Sequence, residues 1–419
     1  MKEINYLQRL FQAYYKQKKN EIPLVNLYNQ REFGFIPWDK MMMIRHKNFR
    51  EPEDLKNYLI KNPPKHLFSS GTLYNDPGNP NMSEKGYLGC DFLIDIDVDH
   101  FFTPCKNHHD LWYCKDCENN GIGMPPDKCT KCGKTNIQNL SWICDDCLNV
   151  AKNEILKLVQ DFLVPDFGIE EKDLKIAFSG HRGYHLKIEN QKMRKISSSE
   201  RREIVDYLTG DNISYDILGL DELGSDIGLL EQNVGWSQKI VKKIKHILLN
   251  YPRDVIIDLL RQEKFGLNTK IIEYIVNNKE SFLKSLWEIE GLGLKTWHKF
   301  LDGIIKEVGA EIDKPVSIDV HRLIRYPGSL HGKTGFRVQQ LNLKQLEDFN
   351  PLDEKNQDID PIIFISEQEN LKKYKIIEKV VPAIKIKGEI FGPYKKDEII
   401  NIPHHIAVFL LCKEVAKII

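Results

Sequence analysis

Three Cys-x2-Cys pairs, Cys114/Cys117, Cys129/Cys132 and Cys144/Cys147, follow one another at equal gaps, and Cys105 precedes them with His108 and His109 close behind. Nothing else in the chain limits the local fold so tightly. Thiols crowded like this in a reducing compartment hold metal rather than form disulfides. Seven cysteines and one histidine give eight ligands. Those fill two four-coordinate zinc ions and leave no position for water, so both sites are read as structural. In one pairing Cys114, Cys117, Cys129 and Cys132 make a compact ribbon. An outer site of Cys105, one of the two histidines, Cys144 and Cys147 then encloses it. In the other pairing Cys105, a histidine, Cys114 and Cys117 share one ion, and the last four cysteines share the second.

Ahead of the cysteines, Asp95-Ile96-Asp97-Val98-Asp99-His100 ends an alternating apolar run that starts near Cys90. Residues two apart in a strand share a face at a spacing of about 6.6 Å. Asp95 and Asp97 are expected on one face, and Phe92, Ile94, Ile96 and Val98 on the other. Two carboxylates on one face repel unless a cation lies between them. Such pairs hold Mg²⁺ or Mn²⁺ against a triphosphate.

Two later clusters carry complementary groups. Ser179-Gly180-His181-Arg182-Gly183-Tyr184-His185 lies between two short expected strands. Its glycines admit close backbone approach, and Ser179, Arg182 and His185 are phosphate donors. The stretch from Asp313 through Asp319, Arg322, Arg325, His331 and Lys333 to Gly335 couples carboxylates to further donors. Each cluster alone also reads as a turn or a salt-bridged loop; together they point to a metal–triphosphate site.

The chain has 419 residues, enough for more than one domain. Sixty basic residues balance sixty acidic ones, which excludes coating of nucleic acid by bulk charge but not a local basic groove. Basic runs at 16–19, 192–202 and 239–245 read as solvated helix faces. The opening segment to Lys18 is polar and amphipathic, unlike a secretory leader, and no apolar run nears the ~20 residues that span a bilayer. A soluble intracellular protein is expected. Helices are expected over 1–20 and 150–163, with a helical stretch from 196 to 310 that includes 236–249, 253–263 and 269–286. Gly291-Leu292-Gly293 reads as a plain interhelical turn, and Ile406–Cys412 as a buried helix.

Four segments in order, Arg31-Glu32-Phe33-Gly34-Phe35, Asp95–His100, Ser179–His185 and Arg322–Gly335, resemble the small, catalytic subunit of archaeal and eukaryotic DNA primase, most nearly the archaeal type. The resemblance implies an α/β (α+β) fold of mixed β-sheets flanked by helices. A zinc-binding insertion (105–147) and a helical subdomain (196–310) would interrupt a catalytic domain built from 1–104, 148–195 and 311–419. It implies a carboxylate triad of Asp95, Asp97 and a third acid on Mg²⁺ or Mn²⁺. Asp313 and Asp319 are both available, and the distance to Ser329-Leu330-His331 favours Asp313. Arg31, Ser179, Arg182, His185, Arg325, His331 and Lys333 are implied around the incoming nucleotide.

The implied activity is synthesis of short RNA primers on single-stranded DNA from NTPs; archaeal family members also use dNTPs, which leaves the sugar open. The implied partner is the primase large subunit, in a heterodimer. The implied location is cytoplasmic and nucleoid-associated, with no membrane. Two other readings compete. A stand-alone repair primase–polymerase commonly lacks both the helical insertion and the cysteine array. A non-catalytic zinc-ribbon scaffold for nucleic acid leaves the clustered carboxylates without purpose.

Overall fold

The structure, a computed structural model, describes residues 2–40, 42–101, 103–216, 218, 234–280, 293–366 and 372–419. Two compact units make it up: Met1–Leu156 with Ile169–Arg201 and Ile312–Ile419, and Lys157–Gly168 with Arg202–Glu311.

The first unit carries the sheets. In chain order β1 (Arg31–Ile36), β2 (Ile44–Lys47), β3 (His66–Tyr74), β4 (Tyr87–Cys90) and β5 (Phe92–Asp97) precede three short strands of the cysteine region. Those are β6 (Leu111–Cys114), β7 (Asn120–Ile122) and β8 (Ile137–Leu140). β9 (Leu174–Phe178), β10 (Gly183–Ile188), β11 (Leu323–Arg325) and β12 (Gln339–Leu341) follow. One sheet runs β11-β3-β1-β2 with β4 also on β3; a second runs β12-β9-β10-β5; a third runs β7-β6-β8. All the ladders in these sheets are antiparallel.

β5 shows why alternation matters. Phe92, Ile94 and Ile96 are fully buried on one face, while Leu93, Asp95 and Asp97 share the other. The strand stops at Asp97. Val98, expected to continue the apolar face, instead opens a short 3₁₀ turn that carries Asp99 and His100. The acidic face looks toward the first sheet, whose β3 comes so close that a Cβ on Gly71 would lie 2.9 Å from the Leu93 side chain. Ser69, Ile324 and Arg325 from that sheet and Ala177, His185 and Lys187 from the second line one cavity of about 200 Å³.

Helices cover the sheets where their apolar stripes allow. Lys2–Gln17 buries Leu7, Phe11, Tyr14 and Tyr15. The helix expected from 150 begins earlier, as Asp145–Lys157, and continues through a π-helical turn, Leu158–Leu163. His404–Cys412 is buried continuously from Ile406 to Cys412, as an unbroken apolar run requires. Trp142, fully buried, donates from Nε1 to Ala383 O at 2.9 Å and meets Phe409 edge-on.

The second unit is helical. Trp236–Asn250, Arg253–Leu260, Thr269–Asn277 and Leu294–Val308 bury stripes such as Ile240, Val241 and Ile244, or Trp297, Leu301 and Ile304. The expected continuation of the third helix over 281–286 lies outside the described residues, as do Gly291 and Leu292 of the glycine turn. Among the described residues no helix is long and apolar enough to cross a membrane.

Gly183 of β10 sits where a Cβ would lie 2.4 Å from Ile96 O and 3.0 Å from Asp97 Cα. Gly183→Ala should wedge β10 from β5 and cost roughly 1–3 kcal/mol. Thermal denaturation followed by circular dichroism should register the loss; an unchanged midpoint would contradict so close a pairing.

Candidate active site

The β5–β10 register sets His185 opposite Asp95 and Gly183 opposite Asp97. His185 Nε2 comes within 3.3 Å of Asp95 Oδ1, and Gly183, lacking a side chain, lets the β10 backbone pack directly against Asp97. Asp97 Oδ1 accepts a 2.9 Å bond from the Asp99 backbone N–H, which fixes its rotamer. A third carboxylate arrives from far along the chain, because the Asp313 N–H donates to Asp95 O at 2.9 Å. Asp313 Oδ2 lies 3.7 Å from His100 Nε2. Asp319, the other available acid, stands elsewhere: it pairs with Arg322 at 3.3 Å and accepts from the His321 N–H at 2.8 Å.

Burial pushes the Asp95 carboxyl up to about 8, with repulsion from Asp97 and Asp313 adding to the rise and Arg325 opposing it. Asp97 is raised as well, by burial first and then by the Asp99 charge. Asp95 Oδ1 is buried with no hydrogen-bond partner. A crowded, unsatisfied carboxylate oxygen is what a hard divalent cation coordinates, so the residues fit Mg²⁺ or Mn²⁺. The acids are less tightly gathered than the thiols. Among the described residues, only the two cysteine-containing groups bring all their donor atoms within 4.8 Å of one another.

The two segments expected to hold phosphate dock on each other. Gly180, at φ +85°, has His331 so close that a Cβ would meet the His331 Cβ at 2.7 Å. Thr334 Oγ1 donates to Gly180 O at 2.6 Å. The His181 and His331 rings stack at 5.3 Å, and His66 meets His331 edge-on at 4.8 Å. His331 Nδ1 accepts from the Lys333 N–H at 3.2 Å; His66 Nδ1 accepts from the Gly332 N–H at 3.3 Å and from Arg325 Nη1 at 2.7 Å. Both rings therefore carry their proton on Nε2. Burial first, then nearby cations, hold His66, His181 and His331 well below the ordinary imidazole range. The same causes push His185 down to about 3. At neutral pH these are neutral donors, and fixed positive charge comes from Arg325 and the exposed Lys333. Ser179 is buried in the same loop, its N–H bonded to Gly183 O at 2.9 Å.

Two arginines expected at the nucleotide stand elsewhere in the bonding scheme. Arg31 is buried, with Nε on Asn26 O (2.7 Å), Nη1 on Ser70 O (2.8 Å) and Gly71 O (3.0 Å), and Nη2 on Asp91 (2.6 Å). Arg182 is buried too, and all five of its N–H donors are taken by Asp99, Asp110 and Trp142 O. A buried guanidinium must be paired, and Asp91 and Asp110 supply the charge. Neither acid stands out in the sequence, although Asp110 directly follows a candidate zinc ligand. Both guanidinium groups are occupied by bonds within the protein.

The cysteines gather into two groups, Cys105–His109–Cys144–Cys147 and Cys114–Cys117–Cys129–Cys132, each able to bind zinc. This is the pairing with a ribbon and an outer site. His108 is exposed and belongs to neither group. His109 Nε2 faces the Cys144 and Cys147 sulfurs at 3.2 and 3.4 Å, while Nδ1 bonds Asp110 Oδ1 at 2.9 Å.

Residues 127–343 match the family described as DNA primase small subunit. The chain is 30% identical to the DNA primase small subunit PriS of Methanosarcina mazei, across 98% of this chain and 96% of that protein. It is 31% identical to the PriS of Archaeoglobus fulgidus (97% and 96%) and 26% identical to that of Nitrosopumilus maritimus (99% and 99%).

Cation and proton compete for Asp95 below about pH 8. Mn²⁺ affinity should rise by up to about tenfold per pH unit as pH approaches 8 and level off above it. Calorimetry in buffers of different ionisation heat should record net proton release below that point. An affinity flat across this range would contradict the arrangement. Because Asp95 holds its proton in the folded state up to about 8 and releases it near the ordinary carboxyl value of 3.8 when unfolded, the cation-free protein loses stability progressively as pH climbs between these values. Metal analysis should find two zinc ions per chain, one for each group; one or none would contradict the eight-ligand count.

Proposed function

The chain belongs to the family of DNA primase small subunits, and on that premise we propose that it is the catalytic subunit of a DNA-dependent primase that joins nucleotides into short RNA primers on a single-stranded template, accepting deoxynucleotides by the same chemistry. The observation that carries this reading is Asp95: half-buried, crowded by Asp97 and Asp313, and left with an inaccessible, unpartnered oxygen beside Arg325 and His185. Keeping such a group costs stability, and a scaffold protein would gain nothing from it.

Asp95, Asp97 and Asp313 would hold two Mg²⁺ or Mn²⁺ ions, which when bound supply Lewis acidity toward the attacking 3′-hydroxyl and the departing pyrophosphate. The remaining work falls to the chain. Asp99, through its backbone N–H, keeps Asp97 turned to the site. Arg325 and Lys333 offset negative charge on the triphosphate, and the Nε2–H groups of His66 and His331 donate without adding charge. His185, neutral beside Asp95, has a single N–H to offer, to a phosphate oxygen or to that carboxylate but not to both. Ser179 and the turn at Gly180 let a phosphate approach main-chain N–H groups. Net charge near zero leaves template grip weak and salt-sensitive, which suits a subunit that works in a heterodimer with the primase large subunit.

Asp97→Asn removes a ligand without changing volume. Losing several kcal/mol of charge stabilisation corresponds to a fall of roughly a hundredfold or more in primer synthesis on single-stranded DNA. The measurement is dinucleotide formation by the variant, alongside a melting curve that shows it folded. Activity near wild type in a folded Asp97→Asn protein would refute the proposal.

A further inference from the structure

The two features that the sequence presents as separate, the cysteine array and the acidic strand, are joined by a continuous line of bonds, buried at Asp110 and Arg182 and reaching the surface at Asp99. His109 turns Nε2 toward the Cys144 and Cys147 sulfurs and Nδ1 to Asp110 Oδ1 at 2.9 Å. That bond fixes the tautomer whose Nε2 lone pair points at a metal. Asp110 then receives two parallel 2.8 Å bonds from Arg182, the fork geometry in which a guanidinium holds a carboxylate most firmly. The Trp142 N–H adds a third bond to Asp110 at 2.9 Å. From its other edge Arg182 Nε bonds Asp99 Oδ1 at 2.6 Å, and the Asp99 N–H bonds Asp97 Oδ1 at 2.9 Å.

A parallel connection runs through the backbone. Lys106, next to Cys105, donates from Nζ to Val98 O and, at 2.6 Å, to Phe101 O. These carbonyls bracket the turn that follows Asp97. Asp110, Arg182 and Lys106 are each no more than 1% exposed, so water cannot take over the fork between Arg182 and Asp110.

We propose that Asp110 and Arg182 are positioning residues through which the outer Cys/His metal site sets the catalytic carboxylates. The proposal rests on the reading of Asp95 and Asp97 as cation ligands. Cys105, His109, Cys144 and Cys147 would hold a zinc ion that locks the His109 ring; the ring positions Asp110, and Asp110 positions Arg182. Arg182 then does two things at β5. It holds the Asp99 side chain, keeping the backbone N–H of that residue on Asp97. It also neutralises Asp99, so that this third acid of the run does not compete with Asp95 and Asp97 for the cation. A residue that contacted the triphosphate directly would need a free donor, and Arg182 has none.

The test uses the full chain with its zinc in place and follows Mn²⁺ binding by electron paramagnetic resonance, with no nucleotide present. Asp110→Asn removes the charge that holds the fork; Arg182→Lys keeps a cation but cannot bond both acids. Each should weaken Mn²⁺ binding by about tenfold or more. Cys105→Ser, which breaks the outer site alone, should do the same. Its combination with Asp110→Asn should be no worse than the single changes, because both cut one line. Melting curves identify the folded variants, and Arg182→Lys carries the test should Asp110→Asn fail to fold. Wild-type Mn²⁺ affinity in a folded Asp110→Asn or Arg182→Lys protein would overturn the proposal, as would losses that simply add in the double variant. Asp97→Asn separates the two levels. If it abolishes Mn²⁺ binding while Asp110→Asn does not weaken it, the strut alone falls. If Asp97→Asn binds Mn²⁺ normally, the cation-site reading falls with it.

Discussion

Three carboxylates brought together at the end of one buried strand set the terms for the rest of this protein. Asp95 and Asp97 share the inner face of β5, and Asp313 is tied to the same strand by a backbone bond. Like charges in a place shielded from water raise one another's proton affinity. The fold opposes that cost with fixed groups instead of solvent. Arg325 faces the acids from the first sheet, Asp99 caps Asp97, and the Arg182–Asp110 pair holds Asp99 in turn.

The same economy explains the histidines. Where the triphosphate is expected, a row of imidazoles would add unwanted repulsion if each were charged. Backbone N–H groups and the neighbouring Arg325 and Lys413 side chains hold specific ring nitrogens of His66, His181 and His331 as acceptors. Neutral N–H donors then line the site while Arg325 and Lys333 carry its positive charge. Charge and hydrogen-bond donation are thus divided between different residues.

Much of this was legible in the sequence wherever chemistry and local period coincide. The alternation from Cys90 to Asp97 identifies both the strand and its acidic face, and the equal cysteine gaps give two metal groups, with the ribbon-and-outer-site pairing one of two open choices. The turn after Asp97 was not legible, because Val98 fits the apolar alternation and only its tertiary position ends the strand. β3 carries no clear strand signal because Ser69, Ser70 and Gly71 interrupt its pattern; Gly71 is small because Leu93 of the second sheet comes close there. Arg31 at the nucleotide rests on the family resemblance, and Arg182 on the resemblance and its residue type. What they touch depends on Asp91 and Asp110, 60 and 72 residues away, and no local pattern shows that a guanidinium will be spent on a distant buried acid. The choice between His108 and His109 also needed three dimensions, because only a short helix turns one inward and leaves the other exposed.

The account stands on Asp95, Asp97 and Asp313 sharing divalent cations. Anomalous diffraction from crystals of the protein with Mn²⁺ and a non-hydrolysable nucleoside triphosphate tests this most directly. It should place two manganese peaks about 3.5–4 Å apart, bridged by these carboxylates and the triphosphate. Manganese absent from the β5 acids, or bound only at other residues, would contradict it.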